Sequence, residues 1–106
     1  MADRYILDGH TPVKCDDVRT WAEWYGANTS QRVVANTKTP NGEVSTVFLA
    51  TDHAWGQRPP VLFETMVFGG SLDDECERYC TWEEAEAGHE RMVQLVTHAV
   101  EAPDAD

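Results

Sequence analysis

Residues 31–52, QRVVANTKTPNGEVSTVFLATD, decide the fold of this chain. Apolar and polar residues alternate on both sides of the central Thr39-Pro40-Asn41-Gly42, and this is the period of a half-buried β-strand. Proline presets the φ angle of one turn residue, and an Asn-Gly pair readily supplies positive φ. The sequence therefore predicts a hairpin of two strands, 31–39 and 43–52.

Further segments on either side of this hairpin also have strand patterns. Residues 61–68 (VLFETMVF) are mostly apolar on both faces, which predicts a central strand that ends at Gly69-Gly70. After an acidic loop, residues 77–80 predict another strand. Near the start of the chain, residues 4–8 and 13–15 predict two short strands about an Asp8-Gly9 turn.

A first helix is predicted over about residues 17–26. Asp16 or Asp17 can serve as its N-cap, and Gly26 is the expected end. Apolar residues at positions i, i+3, i+4 and i+7 predict one buried stripe. The stripe consists of Val18, Trp21, Ala22 and Tyr25.

A second helix begins at a capping box, in which Thr81 and Glu84 each bond the other's backbone amide. It is expected to reach about residue 100. Its predicted buried stripe consists of Trp82, Ala85, Met92, Val93, Val96 and Val100. Because glycine costs about 1 kcal/mol relative to alanine inside a helix, Gly88 indicates a close contact between this helix and the sheet.

The predicted order of elements is β-β-α-β-β-β-β-α. We interpret it as an α+β fold, an antiparallel sheet of about four to six strands with two helices packed on it. Residues 1–100 form the single predicted domain, and residues 101–106 form a frayed acidic tail.

Charge, hydropathy and cysteine content exclude several classes of protein. The 106 residues include 19 Asp and Glu against 8 Lys and Arg, and the net charge of −11 argues against direct binding of DNA. No apolar run approaches the roughly 18 residues of a membrane span, and the first residues lack the pattern of a signal peptide. Three cysteines without a CxxC pair indicate a reduced, cytoplasmic protein.

The acidic residues are concentrated in the second half of the chain. Residues 71–90 hold eight acids and one base. One interpretation is a solvated face that keeps the protein soluble. The other is a protein-binding surface for a basic partner, with candidate residues Asp73, Asp74, Glu75 and Glu77.

Histidine and cysteine spacing predicts neither a metal site nor a cofactor. His89 and His98 are about 180° apart around one helix, and strand spacing would hold Cys76 and Cys80 about 13 Å apart. We interpret His89 as a half-buried histidine bonded to a backbone carbonyl.

Residues that could bind a ligand or take part in acid–base chemistry surround the loop between the predicted strands 43–52 and 61–68. This cluster comprises Asp52, His53, Trp55, Arg58 and Glu64. A carboxylate within an apolar strand is costly unless paired, so Glu64 needs a cation such as Arg32 or Arg58. Three roles are open for the cluster: a structural ion pair, a binding site and acid–base catalysis.

Three aromatic residues are the least required by periodicity to be buried: Trp24, Trp55 and Tyr79. With the cations Arg32, Lys38 and Arg58 they could form a stacking pocket for a nucleotide. The alternative is that these rings complete a small core that is poor in leucine and isoleucine.

Three stretches carry a resemblance to a known family: VSTVFLATDH (44–53), PPVLFETMVFGG (59–70) and RYCTWEEAEAGH (78–89). The chain resembles a family of small uncharacterised proteins common in tailed-phage genomes. The resemblance implies a phage origin and expression in the cytoplasm of a bacterial host, but it supplies no activity and no functional residues. By analogy with other small phage proteins, it favours host takeover or counter-defence.

These observations lead to three functional hypotheses. The first is a non-enzymatic accessory protein that sequesters a small nucleotide-like signal, as a homo-oligomer. Its ligand-binding residues would be Trp24, Arg32, His53, Trp55, Arg58 and Glu64. The second is an acidic inhibitor of a host protein with a basic surface, and the third is a small hydrolase or nuclease that uses Asp52, His53 and Glu64.

Overall fold

The computed structural model describes residues 2–54 and 59–99. Its elements are β1 (Tyr5–Asp8), β2 (Thr11–Lys14), α1 (Val18–Ala27), β3 (Val33–Thr39), β4 (Gly42–Phe48), β5 (Phe63–Phe68), β6 (Cys76–Tyr79) and α2 (Trp82–Thr97). The predicted order and the α+β class are confirmed. No helix in the described ranges is long and apolar enough to span a bilayer.

In the described residues the strands form two antiparallel sheets. β1 and β2 form a separate hairpin, whereas the other four strands form a meander in the order β3-β4-β5-β6. β4 is shorter than predicted and ends at Phe48, because Ala50 has a left-handed φ of 66° that does not continue a ladder.

The turn between β3 and β4 forms where the Pro-Asn-Gly sequence predicts it, and Gly42 provides the positive φ of 144°. The side chain of Asn41 also donates to carbonyl oxygens at the end of α2, at 3.2 Å from Val96 and 3.0 Å from Thr97. The last carbonyls of a helix lack the usual partner four residues on, and that of Val96 also accepts from the N–H of Ala99. The turn therefore caps α2 as well as reversing the chain.

The meander has a covered face, on which α2 packs, and an open face. Alternate residues of β4 and β5 on the covered face are all buried, namely Val44, Thr46, Phe48, Phe63, Thr65 and Val67. The intervening residues on the open face are half-buried or exposed, and Phe68 retains 51 % of its exposure. This is the alternation of a sheet packed on one side.

The close helix–sheet contact expected at Gly88 is confirmed. A Cβ atom at this position would overlap the ring and hydroxyl of Tyr79, so only glycine fits there. The capping box between Thr81 and Glu84 is present as well. Tyr79 itself is 8 % exposed and belongs to the core, which agrees with the second of the two interpretations of these aromatic residues.

The predicted buried stripe of α1 is wrong. No residue of α1 is buried, and Val18 is 55 % exposed. The helix is instead anchored by Trp21, whose indole N–H lies 3.1 Å from the carbonyls of Tyr5 and Ala50. Gly26 does not end the helix, because Asn28 is the C-cap.

Candidate functional site

A groove runs along the outer edge of the meander, between β3 and α2. β3 is an edge strand, and no strand of the described ranges pairs with its outer side. Alternate backbone N–H and C=O groups of an edge strand face outward and are available for pairing. We call this feature the edge groove.

One part of the edge groove is a cavity of about 470 Å³ with an acidic wall. Val34 and Ala35 of β3 line one side. The α2 side is lined by Glu83, Glu86, Ala87, His89 and Glu90. None of the three glutamates forms an ion pair with another residue that the structure describes.

A second cavity of about 440 Å³ continues the groove towards the start of α2. It is lined by Gly9, His10, Gln31, Val33 and Trp82. The rings of His10 and Trp82 stack with centroids 3.8 Å apart and planes inclined by 5°. We call this end of the edge groove the aromatic recess.

The floor of the groove contains a buried polar network centred on His89, which is 2 % exposed. Its Nε2 lies 2.9 Å from the Thr37 hydroxyl, and its Nδ1 lies 2.7 Å from that of Thr46. The predicted bond to a backbone carbonyl is wrong, because two threonines face the ring. Burial lowers the pKa of His89, with an opposing effect from nearby Glu90.

The network continues along the covered face from β4 through β5 to β6. The hydroxyls of Thr46 and Thr65 are 2.5 Å apart, and those of Thr65 and Tyr79 are 3.0 Å apart. Tyr79 then donates to Glu77 at 2.9 Å. Burial is the largest effect that raises the pKa of Tyr79, to about 12.

The carboxylate of Glu77, at one end of this network, determines which group is the donor in each of its hydrogen bonds. An ionised Glu77 only accepts, so the single proton of Tyr79 is donated to it, and Tyr79 must accept from Thr65. Thr65 in turn accepts from Thr46, and Thr46 accepts from the Nδ1–H of His89. Nε2 of His89 is then the acceptor for the Thr37 hydroxyl, so the neutral Nδ1–H tautomer satisfies the whole network.

Glu77, one of the four predicted protein-binding residues, lies on β6 and not in the acidic loop that precedes this strand. Partial burial opposes its ionisation, but hydrogen bonds from Arg91 and Tyr79 hold the pKa of Glu77 below its ordinary value. Arg91 contacts it at 2.8 Å. By contrast, Asp73, Asp74 and Glu75 are exposed, as an acidic docking surface would require.

The predicted nucleotide-binding residues occupy different parts of the structure. Trp24 packs edge-on against Phe48, with centroids 5.9 Å apart, on the covered side. Glu64 lies on the open face, where it pairs with Arg78 at 3.0 Å, and no ion pair joins it to Arg32 within the described residues. Both this partner and the separation of Trp24 from Glu64 differ from the prediction.

Of three further residues in that predicted set, one has a local partner and two fall outside the described ranges. Arg32 lies over the ring of Tyr25, 3.6 Å from its centroid, and donates to the Tyr25 carbonyl. Trp55 and Arg58 lie outside the residues that the structure describes.

The residues of the hydrolase hypothesis are each engaged with a different group. Asp52 accepts from the amides of Ala54 and Val61, at 2.7 and 3.0 Å, and so holds the two ends of the loop between β4 and β5. The exposed His53 lies 3.2 Å from the Thr51 hydroxyl. Glu64 pairs with Arg78. Asp52, His53 and Glu64 thus each have a separate partner, which indicates structural roles.

Sequence reasoning missed the edge groove for two reasons. Positions 83, 86 and 90 have helical spacing and could have been recognised as one acidic stripe, but the strand beside that stripe follows only from the sheet order. The contact between His10 and Trp82 joins residues at opposite ends of the chain, and no local pattern predicts it.

Comparison of the chain with protein-family models, curated proteins and solved structures found no match.

Proposed function

We propose that the protein is a binding protein whose edge groove captures a positively charged segment of another protein. The observation that carries this proposal is the row formed by Glu83, Glu86 and Glu90 along a cavity of about 470 Å³. Three adjacent carboxylates repel one another, and a basic ligand relieves that repulsion.

The charge of the whole chain supports the same class of partner. A net charge of −11 attracts basic molecules over long distances and accelerates their association at low salt. Because the resemblance to tailed-phage proteins implies expression in a bacterial host, the partner that we propose is a basic segment of a host protein.

The direct test uses a fluorescein-labelled peptide of alternating arginine and threonine, with binding followed by fluorescence anisotropy. The triple variant Glu83→Gln, Glu86→Gln, Glu90→Gln should weaken binding about tenfold, the sum expected for three weak ion pairs. Raising the salt concentration should weaken binding to the original protein more than to this variant.

A matched variant controls for net charge. The variant Asp73→Asn, Asp74→Asn, Glu75→Gln also removes three negative charges, but from the acidic loop after β5. It should leave peptide affinity within about twofold. A loss of affinity in this variant, with normal affinity in the groove variant, would assign the docking surface to the acidic loop and reject the edge groove.

A nucleotide-like ligand is a second candidate, favoured by one observation. The Arg32 guanidinium lies 3.6 Å from the ring centroid of Tyr25, and Tyr25 is 36 % exposed. Such a pair offers a cation and a ring face to a phosphate and a base. Nucleotides and cyclic nucleotides should then raise the melting temperature of the protein but not that of Arg32→Gln, while Arg19→Gln, on the exposed surface of α1, should respond normally.

A further inference from the structure

We infer that the basic segment binds as an additional β-strand on the free edge of β3, with alternate side chains directed towards the glutamates of α2. This inference rests on the proposed function and adds the conformation and the sequence pattern of the partner. Extended segments commonly bind exposed sheet edges in this way, with affinity from main-chain bonds and specificity from alternate side chains.

The register of the meander shows which backbone groups are available. Leu49 donates to the Leu62 carbonyl, which extends the β4–β5 pairing, so odd-numbered residues of β4 direct their backbone groups to β5 and even-numbered ones to β3. Val44 therefore bonds Thr37. Asn36 and Lys38, which alternate with Thr37, direct their N–H and C=O groups to the free edge.

The spacing of α2 matches that of an added strand. Thr37 contacts His89, and Asn41, in the turn after β3, contacts Thr97, so β3 and α2 run in the same direction. Two strand residues span about 6.6 Å and four helical residues about 6 Å. Glu86 and Glu90, about 6 Å apart along the helix axis, thus lie one strand repeat from each other.

This match predicts the pattern of the partner. Every second side chain of an added strand faces α2, and two of these in succession would meet Glu86 and Glu90. Lysine or arginine at positions i and i+2 fits this spacing. The neighbouring position on the same face would lie beside Trp82 and His10 of the aromatic recess, which suits an apolar or aromatic side chain.

Charge selects a basic segment over a second copy of this chain. Two copies paired through β3 would bring two sets of Glu83, Glu86 and Glu90 to the same junction, on molecules that each carry a charge of −11. Like charges in such proximity are destabilising. Lys38 on the outer strand adds a further charge of a kind that limits pairing between identical edges.

The experiment compares three versions of one labelled peptide of about eight residues, phenylalanine followed by alternating arginine and threonine. The first is unmodified, and the other two are N-methylated at one or the other set of alternate residues. Methylation leaves the charges unchanged but removes the amide donors and blocks pairing on one edge. Anisotropy should show at least a tenfold loss of affinity for one methylated version and little loss for the other.

Hydrogen exchange of the protein provides an independent readout. Binding of the unmodified peptide should protect the backbone amides of Asn36 and Lys38, whereas the amide of Thr37, which faces β4, should change little. The triple glutamine variant separates the two proposals. It removes the negative charges that the proposed function requires and leaves the free edge of β3 unchanged.

Two results would overturn the inference. In the first, both methylated peptides bind as tightly as the unmodified one, while the triple glutamine variant still weakens binding. The proposed function then holds, but the segment does not bind as an added strand. If the amides of Asn36 and Lys38 are already protected in the free protein, in a manner that increases with protein concentration, a second copy occupies the edge.

Discussion

On the covered face of the meander, Thr46 and Thr65 are fully buried and belong to one continuous hydrogen-bond network. On the open face of the same strands, Glu64 and Arg78 form an isolated ion pair, and about half of the Arg78 side chain is exposed. A buried polar group without a partner loses its bonds to water and gains nothing, whereas an exposed one is solvated again. Substitutions on the two faces should therefore differ in their effects.

The largest effect is expected at Gly88, on the covered side. Gly88→Ala should lower the free energy of unfolding by about 2 kcal/mol or more, because its methyl group would overlap Tyr79 and push α2 away from the sheet. Urea unfolding followed by circular dichroism measures this loss. Gly26→Ala is the control, since a Cβ there meets no atom and helix propensity should make the protein slightly more stable.

A smaller loss is expected when the buried network is interrupted. Thr46→Val keeps the shape of the side chain but removes the hydroxyl between His89 and Thr65, and about 1–3 kcal/mol of stability should be lost. On the open face of the same strand, Ser45→Ala should change stability by less than about 0.5 kcal/mol. Equal losses in the two variants would contradict the difference between the faces.

The pH dependence of stability should also originate on the covered side. Because the folded-state pKa of His89 is lowered, the unfolded chain takes up a proton first as the pH falls below the ordinary value of 6.5. The contribution of neutral His89 is complete above that pH and declines until the pH reaches the lowered pKa. Urea unfolding of the original protein should show this decline.

His89→Gln should reduce the slope of stability against pH in that window, even though the variant is less stable at neutral pH. Glu77 acts in a separate and more acidic window, since its lowered pKa stabilises the fold above 4.5 and that contribution is lost as the pH falls further. An unchanged slope near pH 6 in His89→Gln would show that His89 is not the group responsible.

The smallest effect is expected at the ion pair of the open face. Glu64→Gln should cost no more than about 1 kcal/mol, because one partner is half-exposed and solvent screens the interaction. The same urea titrations in low and high salt should show that this small difference shrinks with salt. A loss comparable to that of Thr46→Val would mean that the two faces do not differ.

Sequence patterns predicted those parts of the structure that depend on neighbouring residues. The hairpin turn before Gly42, the capping box at Thr81 and the order of elements are confirmed, and so is the close contact at Gly88. In each case the signal is a residue whose backbone or local hydrogen bond permits few conformations.

The features that were missed depend on which strands lie side by side. Arg78 is the partner of Glu64 because β6 pairs with β5, a register that neither strand encodes alone. The anchoring of α1 through Trp21, in place of a stripe that includes Val18, follows from the position of the helix at the end of the sheet. The edge groove similarly requires the knowledge that β3 is an outer strand.

The side chain of Asn41 has a consequence for folding kinetics. Its bond to Thr97 joins residues 56 positions apart in the chain, and a contact at such separation carries a large loop-closure entropy. The hairpin and α2 each hold mainly local interactions, so we expect this bond to form after the transition state. Asn41→Ala should then accelerate unfolding and leave the folding rate nearly unchanged. Asn41 thus controls the lifetime of the native state more than the speed at which that state is reached.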